Sequence, residues 1–456
     1  MASEWKALKI GEVFDLVCGY AFKSSDFRDE GVPVIKIKNV KADGVVLDDL
    51  DFVDAKFLDL RKDKIVRDGD ILITMSGNRF DGSKGTWVGK VAQYRGTNTF
   101  LLNQRVGILR PKRASEVEQR ACTYFLASEA NQHLFIAIAT SSGGQANLSP
   151  GQILGAELIL PPLEEQRAIA HILGTLDDKI ELNRKRNETL EAMARALFQS
   201  WFVDFDPVRA KAAMRREHPR WTDAEVCRAA LPTLAPEIAA LFPDSFENSA
   251  LGDIPKGWRV GSLSDVAFLN PESWSRTTKP EIIRYIDLAN TKWGRIEAIT
   301  VYSKEDAPSR AQRVLRCGDT IVGTVRPGNG SNALIAEDGL TGSTGFAVLR
   351  PRKSECREFI YLTATAQDNI ESLAHLADGG AYPAVRPEVV IAKQIVMPPD
   401  AVIANFAKLT EPLISRLAQG ERESNTLAAL RDTLLPKLIS GELRIKNVER
   451  FVEGAL

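Results

Sequence analysis

The chain has 456 residues, 44% of them hydrophobic and 26% charged, with a formal net charge of -1. A chain this long exceeds what one hydrophobic core organises, so two or more domains are expected. The near-neutral balance excludes a global attraction to nucleic acid or to an anionic membrane, so any such binding falls to local patches or to a partner. The 5 cysteines (Cys18, Cys122, Cys227, Cys317, Cys356) are scattered and odd in number. None stands in a CxxC or Cys/His spacing, which predicts reduced thiols, a cytoplasmic location and no structural zinc. No apolar run is long enough to span a bilayer, and the start, MASEWKALKIGEVFDL, lacks the apolar core of a signal peptide.

In chain order, IKIKNVKADG comes first, and its alternation puts Lys36 and Lys38 on one strand face. With Lys41 they read as contacts to phosphate or solvent. Residues 70–74, 86–94 and 106–111 read as strands, rich in β-branched side chains and bounded by Gly, Asn and Asp. Residues 118–139 read as a helix ended by SSGGQ. Strands followed by a helix, without βαβ alternation, predict an α+β fold. GNRFDGSKGT at 77–86 looks at first like a phosphate loop. Its Lys84, however, follows Ser83 rather than the second glycine, and a strand follows where a helix is required.

Residues 160–202 are the most regular stretch, with no Gly or Pro after Thr175. Ile169, Leu173, Leu176, Ile180, Asn183, Asn187, Leu190, Ala194, Leu197 and Trp201 alternate in steps of four and three, a heptad seam. Beyond it, 204–256 is a connector rich in Pro and basic residues. It reads as a solvated linker, or as a DNA-backbone or subunit contact through Arg209, Lys211, Arg215 and Arg216.

The second half repeats the first. An offset of 237, the distance from Leu160 to Met397, also pairs Tyr124 with Tyr361, Gly143 with Gly380 and Pro150 with Pro387. The sequence RDGDILITMSG from Arg67 meets RCGDTIVGTVRPG from Arg316, and ILRPKR from Ile108 meets VLRPRK from Val348. The offset changes fall in loops, as expected where one scaffold carries two recognition surfaces. Carried forward by 237, the seam becomes Phe406, Thr410, Leu413, Leu417, Gly420, Ser424, Leu427, Arg431, Leu434 and Leu438. Pairing the two helices antiparallel sets Asn183 and Asn187 against Gly420 and Ser424; the alternative is two independent helices, each packed on its own domain. The span from Ile169 to Trp201 is roughly 48 Å at the helical rise, against about 34–36 Å for one turn of DNA. Two related domains on such a rod form a ruler.

The central run LPPLEEQRAIAHILGTLDDKIELNRKRNETLEAMARALFQSWFVDFDPVRAK resembles the central region of type I restriction-modification specificity subunits, where PPLxEQ opens a long helix ending near SWF. The tandem order and the GDIL and NLSP elements fit the same family. The second half departs from it, since Pro398-Pro399-Asp400 is not followed by EQ. The resemblance implies two homologous α/β target-recognition domains separated by two long antiparallel coiled-coil helices. It implies a non-catalytic subunit of a methyltransferase/endonuclease complex, each domain reading half of a bipartite site in double-stranded DNA. Two methylation subunits, which bind S-adenosylmethionine, would dock on the helices, and restriction subunits would join. This chain itself would hold no cofactor and no metal. The expected layout is recognition domain 1 at 1–160, spacer helix 1 at 161–203, connector at 204–256, recognition domain 2 at 257–397, spacer helix 2 at 398–442 and a tail at 443–456. The competing reading is a protein-interaction scaffold of two related domains on a helical rod.

An active site finds no support. Pro161-Pro162 and Pro398-Pro399 are preceded by Leu160 and Met397, not by the Asp or Asn of an amino-methyltransferase motif. The 4 histidines (His133, His171, His218, His375) have neither metal nor triad spacing. Base reading needs Arg, Lys, Asn, Gln, Ser or Thr on loops. The first-half candidates are Ser76, Asn78, Arg79, Lys84, Thr86, Asn103, Gln104, Arg105, Ser142, Gln145 and Asn147. In the second half they are Thr324, Arg326, Asn329, Ser331, Asn332, Ser343, Thr344, Tyr382 and Arg386. Helix pairing is assigned to Ile169, Leu173, Leu176, Ile180, Leu190, Leu197, Trp201, Phe406, Leu413, Leu417, Leu427 and Leu434.

Overall fold

The computed structural model describes residues 5–443 apart from 42–43, 48, 81–83, 143 and 381, so the expected tail lies outside the described residues beyond Leu443. The chain forms two compact units, Met1–Leu182 with Glu423–Leu456, and Asn183–Arg422. Among the described residues no helix is long and apolar enough to cross a membrane.

In the first unit a four-stranded antiparallel sheet runs Val91–Gln93, Ile71–Thr74, Val106–Pro111, Phe14–Cys18. Ile71–Thr74 is buried at every position, as suits a central strand covered on both faces. A five-stranded sheet runs Phe27–Arg28, Asp51–Val53, Val32–Ile35, Phe100–Leu102, Ile65–Val66, with one parallel pair between Val32–Ile35 and Phe100–Leu102. Lys6–Lys9 pairs with Glu157–Leu160, closing the unit just before Pro161-Pro162.

The second unit repeats this order: Asn332–Leu334, Thr320–Gly323, Phe346–Pro351, Ala267–Leu269 in one sheet. Thr300–Ser303, Ile282–Ile286, Leu340–Ser343, Ala311–Leu315 form the other, again with one parallel pair. Arg259–Ser262 pairs with Gln394–Met397, the counterpart of the closing ribbon. The architecture is α+β, built twice.

Local departures have local causes. The strand expected over 86–94 is shortened to Val91–Gln93, because a 3-10 turn occupies Lys84–Thr86 and Gly89 takes φ +76. A Cβ at Gly89 would stand 2.5 Å from the Phe135 Cβ, so only glycine lets the chain pass there. The helix expected over 118–139 is two, Gln119–Leu126 and Glu129–Ile138, since Ser128 leaves helical geometry and its Oγ accepts from the Asn131 N–H at 3.3 Å.

The connector is not a solvated linker. It folds as Asp206–Glu217, Asp223–Ala230 and Pro236–Ala239, and buries Phe205, Val208 and Phe242 in the core of the second unit. Lys211 is 5% exposed and donates to the Ala239 and Phe242 carbonyls, while Arg215 pairs with Asp223 and Asp244. Those two cations hold the connector together rather than facing DNA.

The two long helices are Leu163–Phe198 and Asp400–Ile439. Neither stands apart from the heads. In the first unit Ile169 and Leu173 share one core with Leu434, Leu438, Phe125 and Leu158, and Leu176 packs against it. Lys179 meets Glu423 at 3.3 Å and Asp177 meets Arg431 at 2.9 Å, so the helices run antiparallel there. In the second unit Asn187 donates to the Leu417 carbonyl at 3.2 Å, and the Trp201 ring lies 5.8 Å from that of Phe406, antiparallel again. Leu197 and Leu413 pack on this unit's core, whereas Ile180, Leu190, Leu417 and Leu427 stay partly exposed. Asn183 and Asn187 are buried, and a Cβ at Gly420 would stand 2.5 Å from the Asn187 Oδ1. The expected first spacer helix ends early. Gln199–Val203 is a π turn, which widens the helix and drives both Trp201 and Phe202 into the core, where one heptad seam would bury one of them.

Candidate nucleic-acid interface

In each unit the candidate loops spring from the fully buried central strand. The strand's foundation is an ion pair that occurs twice. Asp70, 4% exposed, accepts from Arg110 Nε at 2.9 Å and Nη2 at 2.7 Å, and from the Arg67 N–H at 2.8 Å. Asp319, fully buried, accepts from Arg350 Nε and Nη2, both at 2.8 Å, and from the Arg316 N–H at 2.8 Å. Both guanidinium groups are held above their usual range, chiefly by these hydrogen bonds. The RDGD and RCGD repeats are therefore anchors of the loops, not readers.

The first-unit loops converge on a small sheet, Ser76–Gly77, Gln145–Asn147, Thr140–Ser142. Ser76 is buried and its Oγ donates to Asn147 Oδ1 at 2.6 Å; Arg105 Nη1 stands 3.4 Å from the same oxygen. With that oxygen occupied, the Asn147 amide is oriented by the protein. Asn78 Nδ2 donates to Thr86 Oγ1 at 3.0 Å, bracing the two ends of the 78–86 loop. Arg79 turns inward and donates to the Ala139 carbonyl. Asn103 carries the bridge to Tyr20, while Gln104, Arg105 and Gln145 are exposed. The side chains of Lys84 and Ser142 lie outside the described residues.

Two residues here escaped the sequence reading. Phe80 is 54% exposed, edge-on to Trp87 at 5.2 Å and to His133 at 5.1 Å. A search confined to hydrogen-bonding side chains passes over it, although one apolar ring in a polar, glycine-rich loop is itself a signal. Lys90 is 3% exposed and donates from Nζ to the Gly85 carbonyl at 2.7 Å, tying down the same loop. Burial, and secondarily Lys41, pushes its ammonium down to about 8.

In the second unit the candidates divide by burial. Thr324 donates to the Gly345 carbonyl at 2.9 Å, Ser331 donates to the Leu288 carbonyl at 2.9 Å and Asn332 donates to the Gly330 carbonyl at 3.2 Å. The Ser343 Oγ accepts from the Gly345 N–H at 3.2 Å. All four side chains are buried, so their work is to shape the loops; with Ser76 they depart from the expected role of touching bases. Arg326, Asn329, Thr344, Tyr382 and Arg386 are exposed. The Arg326 guanidinium lies 4.6 Å above the Tyr382 ring, and Val325 bridges Ala384, so the 324–332 and 382–385 segments form one surface.

Each head also grips the long helices. In the first unit Asp178 takes Arg120 at 2.9 Å and also Arg95, and these, Arg120 first, hold its carboxyl down to about 2. In the second unit Arg295 meets Glu188 at 3.2 Å and Arg195 Nη2 stands 3.3 Å from Thr365 Oγ1. Glu421 on the second helix is pushed up to about 7, by burial first and partly offset by Arg295, with Glu191 adding to the rise. Among the described residues no group of three or more His, Cys, Asp or Glu side chains is placed to hold a metal ion.

The family model described as the type I restriction modification DNA specificity domain matches residues 2–192. The chain is similar to the type I restriction enzyme HindI specificity subunit of Haemophilus influenzae, 24% identical over 387 residues, spanning 76% of this chain and 82% of that protein. It is also similar to the MjaIX specificity subunit of Methanocaldococcus jannaschii, 25% identical over 67% of this chain and 66% of that one. Its fold matches the crystal structure of a type I restriction-modification S subunit from M. genitalium, with a TM-score of 0.54 at 16% identity over 96% of each chain.

Proposed function

We propose that the chain is a specificity subunit of a type I restriction-modification system, and that each α+β unit reads one half of a bipartite site in double-stranded DNA. One observation carries this reading. The same strand order occurs twice, on the same buried Arg–Asp anchor, under loops whose exposed side chains differ. Equal scaffolds with unequal loops suit two unequal half-sites.

The long helices set the gap between the half-sites and serve as the dock for two methylation subunits, with restriction subunits completing the complex. Methyl transfer and cleavage belong to those partners, and S-adenosylmethionine is bound by the methylation subunits. This chain's contribution is positional. It chooses where on the duplex the partner acts, through phosphate contacts that set register and base contacts that set sequence.

The test is to co-produce the chain with its methylation subunit and map methylated bases by long-read sequencing. A split motif, two short defined halves around an undefined gap, is expected. A continuous motif, or methylation independent of this chain, contradicts the reading.

A further inference from the structure

We propose that the open edge of the second unit's mixed sheet, Thr300–Ser303, is a strand-addition site for an extended, basic segment of a partner polypeptide. The inference comes from a strand that one unit has and the other lacks, and it does not depend on DNA reading.

The two mixed sheets match row by row. Val34 pairs with Asp51 and Leu101, and Leu101 with Ile65. Tyr285 pairs with Thr300 and Thr341, and Thr341 with Val314. Phe52 thus corresponds to Val301, and Val53 to Tyr302. In the first unit the outer side of that strand is covered, Phe27 pairing with Val53 and Arg28 with Phe52. In the second unit it is bare. Thr300–Ser303 ends its sheet, and among the described residues no backbone hydrogen bond reaches Val301 or Tyr302 from outside that sheet.

The segment that would cover it lies at the opposite edge. Ser273 bridges Arg313, and the Trp274 N–H donates to the Gln312 carbonyl at 2.8 Å, so the chain ahead of Ile282–Ile286 runs beside Ala311–Leu315 instead. Both faces of the bare edge are apolar. On one, the first unit packs Phe27 against Val32, Val34 and Val53, whereas the equivalent Ile283, Tyr285 and Tyr302 have no strand beyond them. On the other, Ile282 is 69% exposed and Val301 63%. An unpaired edge carrying exposed β-branched side chains is a template on which a further strand adds.

Charge selects the occupant. Glu281, Glu305 and Asp306 flank the Ser303 end, Glu297 precedes the Thr300 end, and all four are exposed. The cations of this edge are already paired, Lys304 with Glu281 at 3.3 Å and Arg284 with Glu337 at 2.7 Å. A second copy of this chain, paired antiparallel, would set carboxylates against carboxylates, and DNA would bring phosphates to them. A segment with an apolar residue opposite Tyr302, as Phe27 stands opposite Val53, and with cations beside the Ser303 end meets both requirements.

The test titrates the full chain with a fluorescein-labelled peptide, two arginines followed by alternating valine and threonine, and reads anisotropy. Two twins of the peptide carry N-methyl groups on one or the other alternate set of amides. Only one set can face the edge, so one twin is expected to lose about tenfold or more in affinity and the other to keep it. Val301→Lys puts a charge on the edge as natural edge strands do, and is expected to weaken the parent peptide by a similar factor. Val301→Thr keeps binding, and Glu305→Lys weakens it at low salt. No binding, twins that behave alike, or binding indifferent to Val301→Lys overturns the proposal. So does self-association of the wild-type chain that Val301→Lys abolishes in sedimentation, which gives the edge to a second copy. The twin comparison needs no variant, so it decides even where a substitution shifts stability.

Discussion

The two units are built to one plan and finished differently. Both stand a buried central strand on an Arg–Asp pair, Arg110 with Asp70 and Arg350 with Asp319. In the second unit Glu272 joins, bonded to Arg350 and meeting Arg316 at 3.0 Å, so its anchor is a network where the first unit's is a pair. The loops diverge further. The first unit ties Arg79 to the Ala139 carbonyl and leaves Phe80 exposed, whereas the second lays Arg326 over the exposed Tyr382 ring. Residues that hold the shared frame are repeated, and residues that face outward are free to differ.

The largest predicted effect is on the frame. Asp319→Ala leaves Arg350 with Glu272 as its one carboxylate partner and is expected to cost about 3 kcal/mol in thermal unfolding. Asp70→Ala is expected to cost at least as much, since Arg110 and Arg350 are almost equally exposed, at 21% and 19%, and only Arg350 keeps a second carboxylate, Glu272. A smaller loss in Asp70→Ala than in Asp319→Ala would show that Glu272 does not support Arg350 once Asp319 is gone.

The grip on the helices separates the units by pH. Glu421 has a folded pKa of about 7 against 4.5 for the free group, so its neutral form is the one the fold favours. Its ionisation weakens the second unit progressively as pH rises from 4.5 to 7, and the penalty is complete above that. Glu421→Gln is therefore expected to stabilise the protein by about 2 kcal/mol at pH 8, with the gain shrinking toward pH 4.5. Asp178 works the other way, its carboxyl held at about 2 against 3.8, so its contribution is present above pH 3.8 and is lost as pH falls through 2. Because its side chain is 49% exposed, Asp178→Asn is expected to cost only about 1 kcal/mol at pH 7. Melting curves of both variants at pH 5 and pH 8 distinguish the two grips.

Much of this frame was legible in the residues. Val106–Pro111 stands where its β-branched run places it, and the duplication shows in paired motifs before any strand is drawn. What escaped depends on contacts distant in sequence. The break at Ser128 needs the capped geometry, and the shortened strand before Val91 needs Phe135 pressing on Gly89. The connector looked solvated because its Pro and basic residues are plain, while the burial of Phe205, Val208 and Phe242 becomes visible only against the second unit's core. The candidate loops were found as groups, but which side chains face outward was not. Ser76 and Thr324 look like readers by residue type and prove to be struts, because their partners Asn147 and Gly345 arrive from other loops.

If the paired helices measure the gap in a divided DNA site, as proposed above, changing their length must change that gap. Matched insertions of four residues, after Asn187 in the first helix and after Gln419 in the second, would lengthen each helix by ~6 Å. Mapping of methylated bases by long-read sequencing should then show the undefined gap longer by one or two base pairs, with both half-sites unaltered. A changed half-site with an unchanged gap would contradict the claim.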